Sequence, residues 1–225
     1  MREPIVILPA YNEAAVVAEV IQEIRSCGFE QIVLINDGST DDTGAIAKAN
    51  GAIVVTHFIN RGAGAAVQTA IELARRQNWS RIAFMDADGQ HQAEDIRLLA
   101  AEMDRSNCDL VIGSRFIGYR ENIPWTRRIF NGIANLMTNI FGRQRFTDSQ
   151  SGLRMLNRKA IESLHLKIDG FGYCSEMLIE AERLGLKINE IPTQVRYSPY
   201  SISKGQDFQM GINTALHFLW NVIFK

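Results

Sequence analysis

The chain has 225 residues, with 24 Lys+Arg against 25 Asp+Glu and a formal net charge of -1. That length suits one large domain with a sizeable core, and the charge balance excludes a whole-molecule field that would draw in nucleic acid or anionic lipid. Any anion must be met by a local cluster. Three isolated cysteines, Cys27, Cys108 and Cys174, lack metal-ligand spacing and point to reduced thiols in a cytosolic setting. "MREPIVILPAYNE" carries no secretory pattern, and no apolar run reaches the roughly 20 residues of a membrane-spanning helix, so a membrane would be met at its surface.

In chain order, β-branched runs alternate with helix-period segments. "PIVILP", "QIVLIND", "AIVVTH", "RIAFMD" and "LVIGSR" read as strands, and being apolar on both faces they suit a buried parallel sheet. Helices are predicted over residues 13–26, 43–50, 63–77 and 93–105, each of a length suited to a crossover. The repeated βα pattern gives an α/β class, a mostly parallel central sheet flanked by helices. After residue 114 the alternation lapses: "RFIGYRENIPWTRR" reads as a basic, aromatic loop and "IFNGIANLMTNIF" as a helix. "SGLRMLN" then reads as a strand, residues 174–184 as a helix and "KINEIPTQVRY" as a strand.

The main domain is expected over residues 1–205 and an amphipathic C-terminal helix within 206–225. On that helix Asn213, His217 and Asn221 form one polar stripe, while Phe208, Ile212, Leu216, Leu219, Trp220, Ile223 and Phe224 cover most of the rest. It needs burial against the domain, a partner subunit or the membrane surface, and few Lys or Arg flank it.

Ligands of open parallel sheets bind at the carboxyl ends of the strands, and the polar residues gather there. The first strand exits into Pro9, Ala10, Tyr11, Asn12 and Glu13; the second into Asn36, Asp37, Gly38, Ser39 and Thr40. The fourth exits into Asp86, Asp88 and Gln90, and the fifth into Gly113, Ser114 and Arg115. "NDGSTDDT" reads either as a turn capping the next helix or as a site where Asp37, at the strand edge, accepts hydrogen bonds from a nucleobase or ribose. In "NRGAGAAVQTA", Gly62 and Gly64 serve either the backbone needs of a helix start or the close approach of a ligand to exposed helix N–H groups.

"DADGQH" raises a question of charge. Two ionised carboxylates held together disfavour each other unless a cation lies nearby. Hard oxygen ligands suit Mg²⁺ or Mn²⁺, with water and substrate phosphate completing the shell. Gln90 could add a carbonyl oxygen and His91 an imidazole or a structural contact, although an isolated D-x-D also arises by chance.

The order PAYNE, NDGSTDDT, NRGAGAA, DADGQH and GSR, each at a strand end, resembles the inverting glycosyltransferases of family 2, which have the GT-A nucleotide-sugar fold. The likeness is close over about residues 4–116 and looser to about 205. "DADGQHQAEDI", "GSRF", "PWTRR", "TDSQSGLRM", "EIP" and the late "SK" resemble the dolichol- or polyprenyl-phosphate sugar transferases of that family. The resemblance implies that Pro9, Ala10, Tyr11, Glu13, Asp37 and Ala87 meet the donor nucleotide, with Gly62 beneath it. It further implies that Asp86, Asp88 and Gln90 hold the divalent ion against the diphosphate, and that Arg115 and Arg127, with Arg128 nearby, face phosphates between donor and acceptor. Asp148 would lie near the acceptor, and Arg196, Ser203 and Lys204 in a loop over the diphosphate. "YSPYSI" departs from the basic residues and glycine common there.

The implied activity is metal-dependent, inverting transfer of a sugar from a nucleotide-diphosphate sugar to a dolichyl or undecaprenyl (polyprenyl) phosphate. The implied place is the cytoplasmic face of a membrane, alone, as a homo-oligomer or with a membrane partner subunit, and without nucleic acid. A saccharide or protein hydroxyl acceptor, and a non-catalytic nucleotide-sugar-binding subunit, are the alternatives. Asp148 would be a base toward a hydroxyl, an orienting group toward a phosphate, or the cap of a turn.

Overall fold

The computed structural model describes residues 3–118, 125–196 and Tyr200, with residues 125–127 and 130 described by backbone alone. Along the chain run β1 (Ile5–Ala10), α1 (Val17–Ser26), β2 (Ile32–Asn36), α2 (Thr43–Ala49), β3 (Ile53–Thr56), α3 (Ala63–Arg76), β4 (Arg81–Phe84) and α4 (Asp95–Ser106). Then follow β5 (Leu110–Ser114), α5 (Trp125–Phe141), β6 (Arg154–Asn157), α6 (Arg158–Ser163), α7 (Tyr173–Arg183) and β7 (Ile188–Pro192). They build a seven-stranded sheet in the order β3-β2-β1-β4-β6-β5-β7.

The apolar runs of the strands split between two faces because side chains alternate. Ile5, Ile7, Val33, Ile35, Phe84 and Ile112 pack with α3, α6 and α7 on one side, while Val6, Leu8, Leu34, Met85 and Val111 pack with α1 and α4 on the other. Each fully buried Ile or Leu contributes roughly 1.5–3 kcal/mol. This two-sided burial is why the strands read as continuous apolar runs.

Several boundaries differ from expectation. α1 starts at Val17 rather than 13, because Val16 and Val17 both donate to the Glu13 carbonyl and close a turn first. The expected "PWTRR" loop is helical from Trp125 onward, and residues 119–124 lie outside the described residues. α6 was not anticipated; the Asn157 side chain caps it by accepting from the Ala160 N–H at 2.9 Å. The last expected strand stops at Pro192, followed by an isolated bridge from Val195 to His91. The amphipathic segment 206–224 lies outside the described residues.

One reversal positions the site. β1, β2, β3 and β4 are mutually parallel and β5 is parallel to β7, but β6 runs antiparallel to both β4 and β5. Arg154 is paired with Phe84 on one side and Ile112 on the other. The chain entering β6 therefore lies at the carboxyl ends of β4 and β5, and continuing that register by two residues sets Gly152 beside Asp86.

α4 is tied to β7 through Glu102, which accepts from Asn189 Nδ2 at 2.7 Å and Arg105 Nη2 at 2.7 Å and from the Ser106 hydroxyl. The bonds from Ser106, Asn189 and Arg105 hold its pKa at about 2, below the usual 4.5. A depressed carboxylate stabilises the fold above its unfolded pKa and stops doing so as pH falls through the folded value. Glu102→Gln is expected to lower unfolding free energy by about 1 kcal/mol at neutral pH. In urea titrations the difference from wild type should shrink as pH falls toward about 2.

Candidate active site

The first two motifs clasp each other. Asn12 N–H donates to Ser39 Oγ at 3.0 Å, Glu13 N–H to Thr43 Oγ1 at 2.7 Å and Ala14 N–H to Asp41 Oδ2 at 3.1 Å. In return Thr40 N–H donates to Asn12 Oδ1 at 2.8 Å. Asn12 holds φ at 55°, a left-handed conformation that Asn tolerates better than most residues. "STDDT" thus fixes the loop after β1, and Asp41 also accepts from Thr43 N–H, at the first residue of α2, at 3.0 Å. Tyr11 is exposed, Pro9 and Glu13 are half-buried, and the Ala10 and Ala87 side chains are buried in the core, so those two alanines present backbone.

Asp37 is buried at the end of β2. Its carboxylate accepts from His57 Nδ1 at 2.6 Å, Asn60 Nδ2 at 3.1 Å, Arg61 N–H at 3.0 Å and Gly62 N–H at 2.7 Å. The loop into α3 is therefore folded onto Asp37. At the start of α3, Gly64 and Ala65 N–H both donate to the Asp169 carbonyl, at 2.7 and 3.1 Å. A Cβ at Gly62 or Gly64 would overlap the carbonyls of Asp169 or Ile168. The close approach that these glycines permit is that of the 168–170 turn, which occupies the N–H groups of Gly64 and Ala65, and Gly62 at φ 109° meets the backbone need of the helix start, the other of the two readings.

Asp86 and Asp88 lie just past β4. Asp86 is half-buried, with Oδ2 at 3.4 Å from Nε2 of the buried His91. Burial opposes its ionisation, but the His91 hydrogen bond and the charges of His91, Arg115 and Arg154 prevail and lower its pKa. Burial, then the Asp86 charge, push Asp88 the other way; bonds from Gln90 N–H at 3.0 Å and the Gln90 side-chain amide offset part of this. Among the described residues no group of three or more His, Cys, Asp and Glu gathers around a metal position. Two adjacent carboxylates with unequal affinity for protons fit Mg²⁺ or Mn²⁺, which take one or two carboxylates and fill the shell with water and phosphate.

The loop entering β6 closes the site. Arg115 donates to Asp148 twice from its guanidinium, Nε to Oδ2 at 2.7 Å and Nη2 to Oδ1 at 2.8 Å, and again from its N–H at 2.9 Å. Both are buried, Asp148 completely. Glu190 of β7 holds this loop by accepting from Thr147 N–H at 2.8 Å and Asp148 N–H at 3.1 Å; its burial raises its pKa. α5 grips the same loop, with Asn135 accepting from Ser149 N–H at 2.7 Å and Asn139 from Phe146 N–H at 2.8 Å. The opposite side of α5 presents Ile129, Ile133, Leu136 and Ile140 as an exposed stripe with 4-3-4 spacing.

The profile of glycosyl transferase family 2 matches residues 5–164. The chain belongs to this family. It is a glycosyltransferase of the hexosyltransferase class, using a nucleotide sugar. It is 30% identical to the UDP-N-acetylglucosamine–dolichyl-phosphate N-acetylglucosaminyltransferase of Methanococcus voltae, over 91% of this chain and 90% of that protein. It is 29% identical to the polyprenol monophosphomannose synthase of Mycolicibacterium smegmatis, over 89% and 80%. Its fold matches glucosyl-3-phosphoglycerate synthase from Mycobacterium tuberculosis, solved with Mn²⁺, UDP-glucose and phosphoglyceric acid. That match has TM-score 0.73 and 22% identity, covering 98% of this chain and 80% of that one. The α/β sheet is the GT-A fold.

In this glycosyltransferase the segment after β7 crosses the metal-loop candidates. Arg196 N–H donates to the Gln90 carbonyl at 2.8 Å, Arg196 Nη1 pairs with Glu23 Oε2 at 2.9 Å, and the Tyr200 hydroxyl donates to Glu13 Oε2 at 2.8 Å. Arg128 is exposed on α5; the Arg127 side chain, Ser203 and Lys204 lie outside the described residues. A cavity of about 630 Å³ runs along α3, and none of residues 9–13 or 86–90 lines it.

Sequence reasoning missed Arg154 and Gly152. Arg154 is buried, donating to the carbonyls of Ser151, Cys174 and Ser149 at 2.8, 2.9 and 2.6 Å. An arginine inside the apolar strand "GLRML" was the available signal, since a buried guanidinium needs several acceptors. A Cβ at Gly152 would overlap the Asp86 carboxylate. Gly152→Ala is therefore expected to swing Asp86 out of place and cut transfer about 100-fold, with thermal unfolding nearly unchanged. Full activity in that variant would show that Asp86 does not need this position.

Proposed function

We propose that the enzyme moves its sugar to a polyprenyl phosphate at a membrane surface, with Mg²⁺ or Mn²⁺ held by Asp86 and Asp88 beside Gln90. Pro9, Ala10, Tyr11, Glu13, Gly62 and Ala87 would serve the donor side, Asp37 through the loop of residues 60–62 that its carboxylate holds, and Arg196 and Lys204 its cover. The bound ion would supply countercharge to the departing diphosphate. The observation that carries the acceptor reading is the Arg115–Asp148 pair. Both Asp148 oxygens are engaged by one guanidinium, which suits an orienting group better than a base. A hydroxyl acceptor requires a base, whereas a phosphate monoester is ionised near neutral pH and attacks without one. Arg127 and Arg128, at the start of α5, would meet the phosphate.

Two further observations support the membrane surface. α5 holds the Asp148 loop with its polar side and turns the stripe Ile129, Ile133, Leu136 and Ile140 outward, an arrangement suited to lying in a lipid interface beside the acceptor. The two similar enzymes described above carry lipid phosphates in their names. No helix among the described residues is long and apolar enough to cross a membrane. The test is incubation with Mg²⁺ or Mn²⁺, a panel of nucleotide sugars, and undecaprenyl or dolichyl phosphate. A labelled glycolipid is expected; transfer to soluble hydroxyl acceptors, or to phosphoglycerate, with no lipid product would reject this acceptor.

A further inference from the structure

The loop that carries Gly62 toward the donor side has no apolar anchor of its own. Phe58 is 105% exposed and Ile59 67%, so burial does not set the shape of residues 57–62. Its polar bonds to Asp37 do, together with the backbone contact that Gly38 permits: a Cβ there would overlap Ile59 and Asn60. At the base of the loop, the ring of His57 is 10% exposed and uses both nitrogens, Nδ1 toward Asp37 Oδ1 at 2.6 Å and Nε2 toward Thr69 Oγ1 at 2.9 Å. A carboxylate only accepts, so Nδ1 carries the proton, and the Thr69 hydroxyl can donate to or accept from Nε2.

The carboxylate of Asp37 has about four lone-pair directions, and His57, Asn60, Arg61 and Gly62 supply four donors. Two of them are tied to α3, Gly62 through its carbonyl, which accepts from Ala66 N–H at 3.1 Å, and His57 through its ring, which Thr69 braces from behind. We propose that His57 is a positioning residue of the donor site: through its Nδ1–H it fixes the rotation of Asp37, and through Asp37 the backbone of residues 60–62 that would lie under the nucleotide. This rests on the donor reading given above. No step of the reaction passes through His57.

The chemistry of the ring gives a selective test. An asparagine amide can take the place of Nδ1, whereas a glutamine amide reaches toward the place of Nε2 and leaves Asp37 without that donor. Binding of UDP, GDP, CDP and ADP with Mn²⁺ would be measured by calorimetry for the full chain, followed by steady-state kinetics on the matching nucleotide sugar. Wild type should bind at least one nucleotide. His57→Gln and His57→Leu should weaken that binding, and raise donor KM, by about 10-fold or more, with kcat within about 3-fold. His57→Asn should stay within about 3-fold of wild type on all counts. The inference fails if His57→Gln binds as tightly as wild type. It also fails if Gln and Asn variants lose affinity alike, in step with their melting temperatures, since that marks a purely structural histidine. Should wild type bind no nucleoside diphosphate, the donor reading itself falls.

Discussion

Asp88→Ala is expected to abolish most turnover, by about 10²–10³-fold, while leaving the fold at least as stable as wild type. The two halves of that result have one cause. Burial and the neighbouring Asp86 charge raise the Asp88 pKa, which means that the folded protein holds this carboxylate where its charge is unfavourable. A carboxylate with a raised folded pKa costs stability at neutral pH, so alanine removes a strain rather than a support. Such an arrangement suits a function that needs the charge, and a divalent ion with a diphosphate is the partner that would repay it. Nucleoside diphosphate release and thermal unfolding, measured side by side, check the prediction. Retained turnover would remove Asp88 from the machinery; a matching loss of stability would make it structural.

Asp148→Ala is expected to cost about 3–5 kcal/mol of unfolding free energy, because it removes the carboxylate that takes two hydrogen bonds from the buried Arg115 guanidinium. Loss of activity in that variant therefore says little about chemistry. A more informative comparison is the double variant Arg115→Met with Asp148→Leu. Replacing both members of a buried pair with apolar groups of similar size is often close to neutral, so stability should return largely to the wild-type value while transfer remains lost. Urea denaturation reads the first quantity and the glycolipid assay the second. A single alanine variant within about 1 kcal/mol of wild type would show that Arg115 finds another partner at once.

The legible part of this protein was local. β1 to β5 were visible because each is a short run apolar on both faces, and the helices between them because their apolar residues recur with the helical period. α6, only six residues long, is too short for that period to register. "SGLRMLN" announced a strand without announcing its direction, and nothing nearby in the chain says that β6 is inserted backwards between β4 and β5. Among the candidate site residues, the resemblance named Asp37, Arg115 and Asp148, and the tertiary structure supplied their partners. Asp37 holds the loop of residues 57–62, Arg115 and Asp148 hold each other across 33 residues, and Glu190 holds the loop between them from β7.

The amino-acid order by itself determined the α/β class, the strands that carry polar residues at their carboxyl ends, and the pair of carboxylates after the fourth of them. These follow from side-chain period and from the chemistry of neighbouring residues, which act over a few positions. Only the folded chain decided that Gly152 lies against Asp86, that Arg154 is buried behind them, and that α5 turns an apolar stripe outward beside the Asp148 loop. The first two of those relations depend on the pairing direction of one strand, and that direction is set by how the whole sheet closes rather than by the four residues that form it.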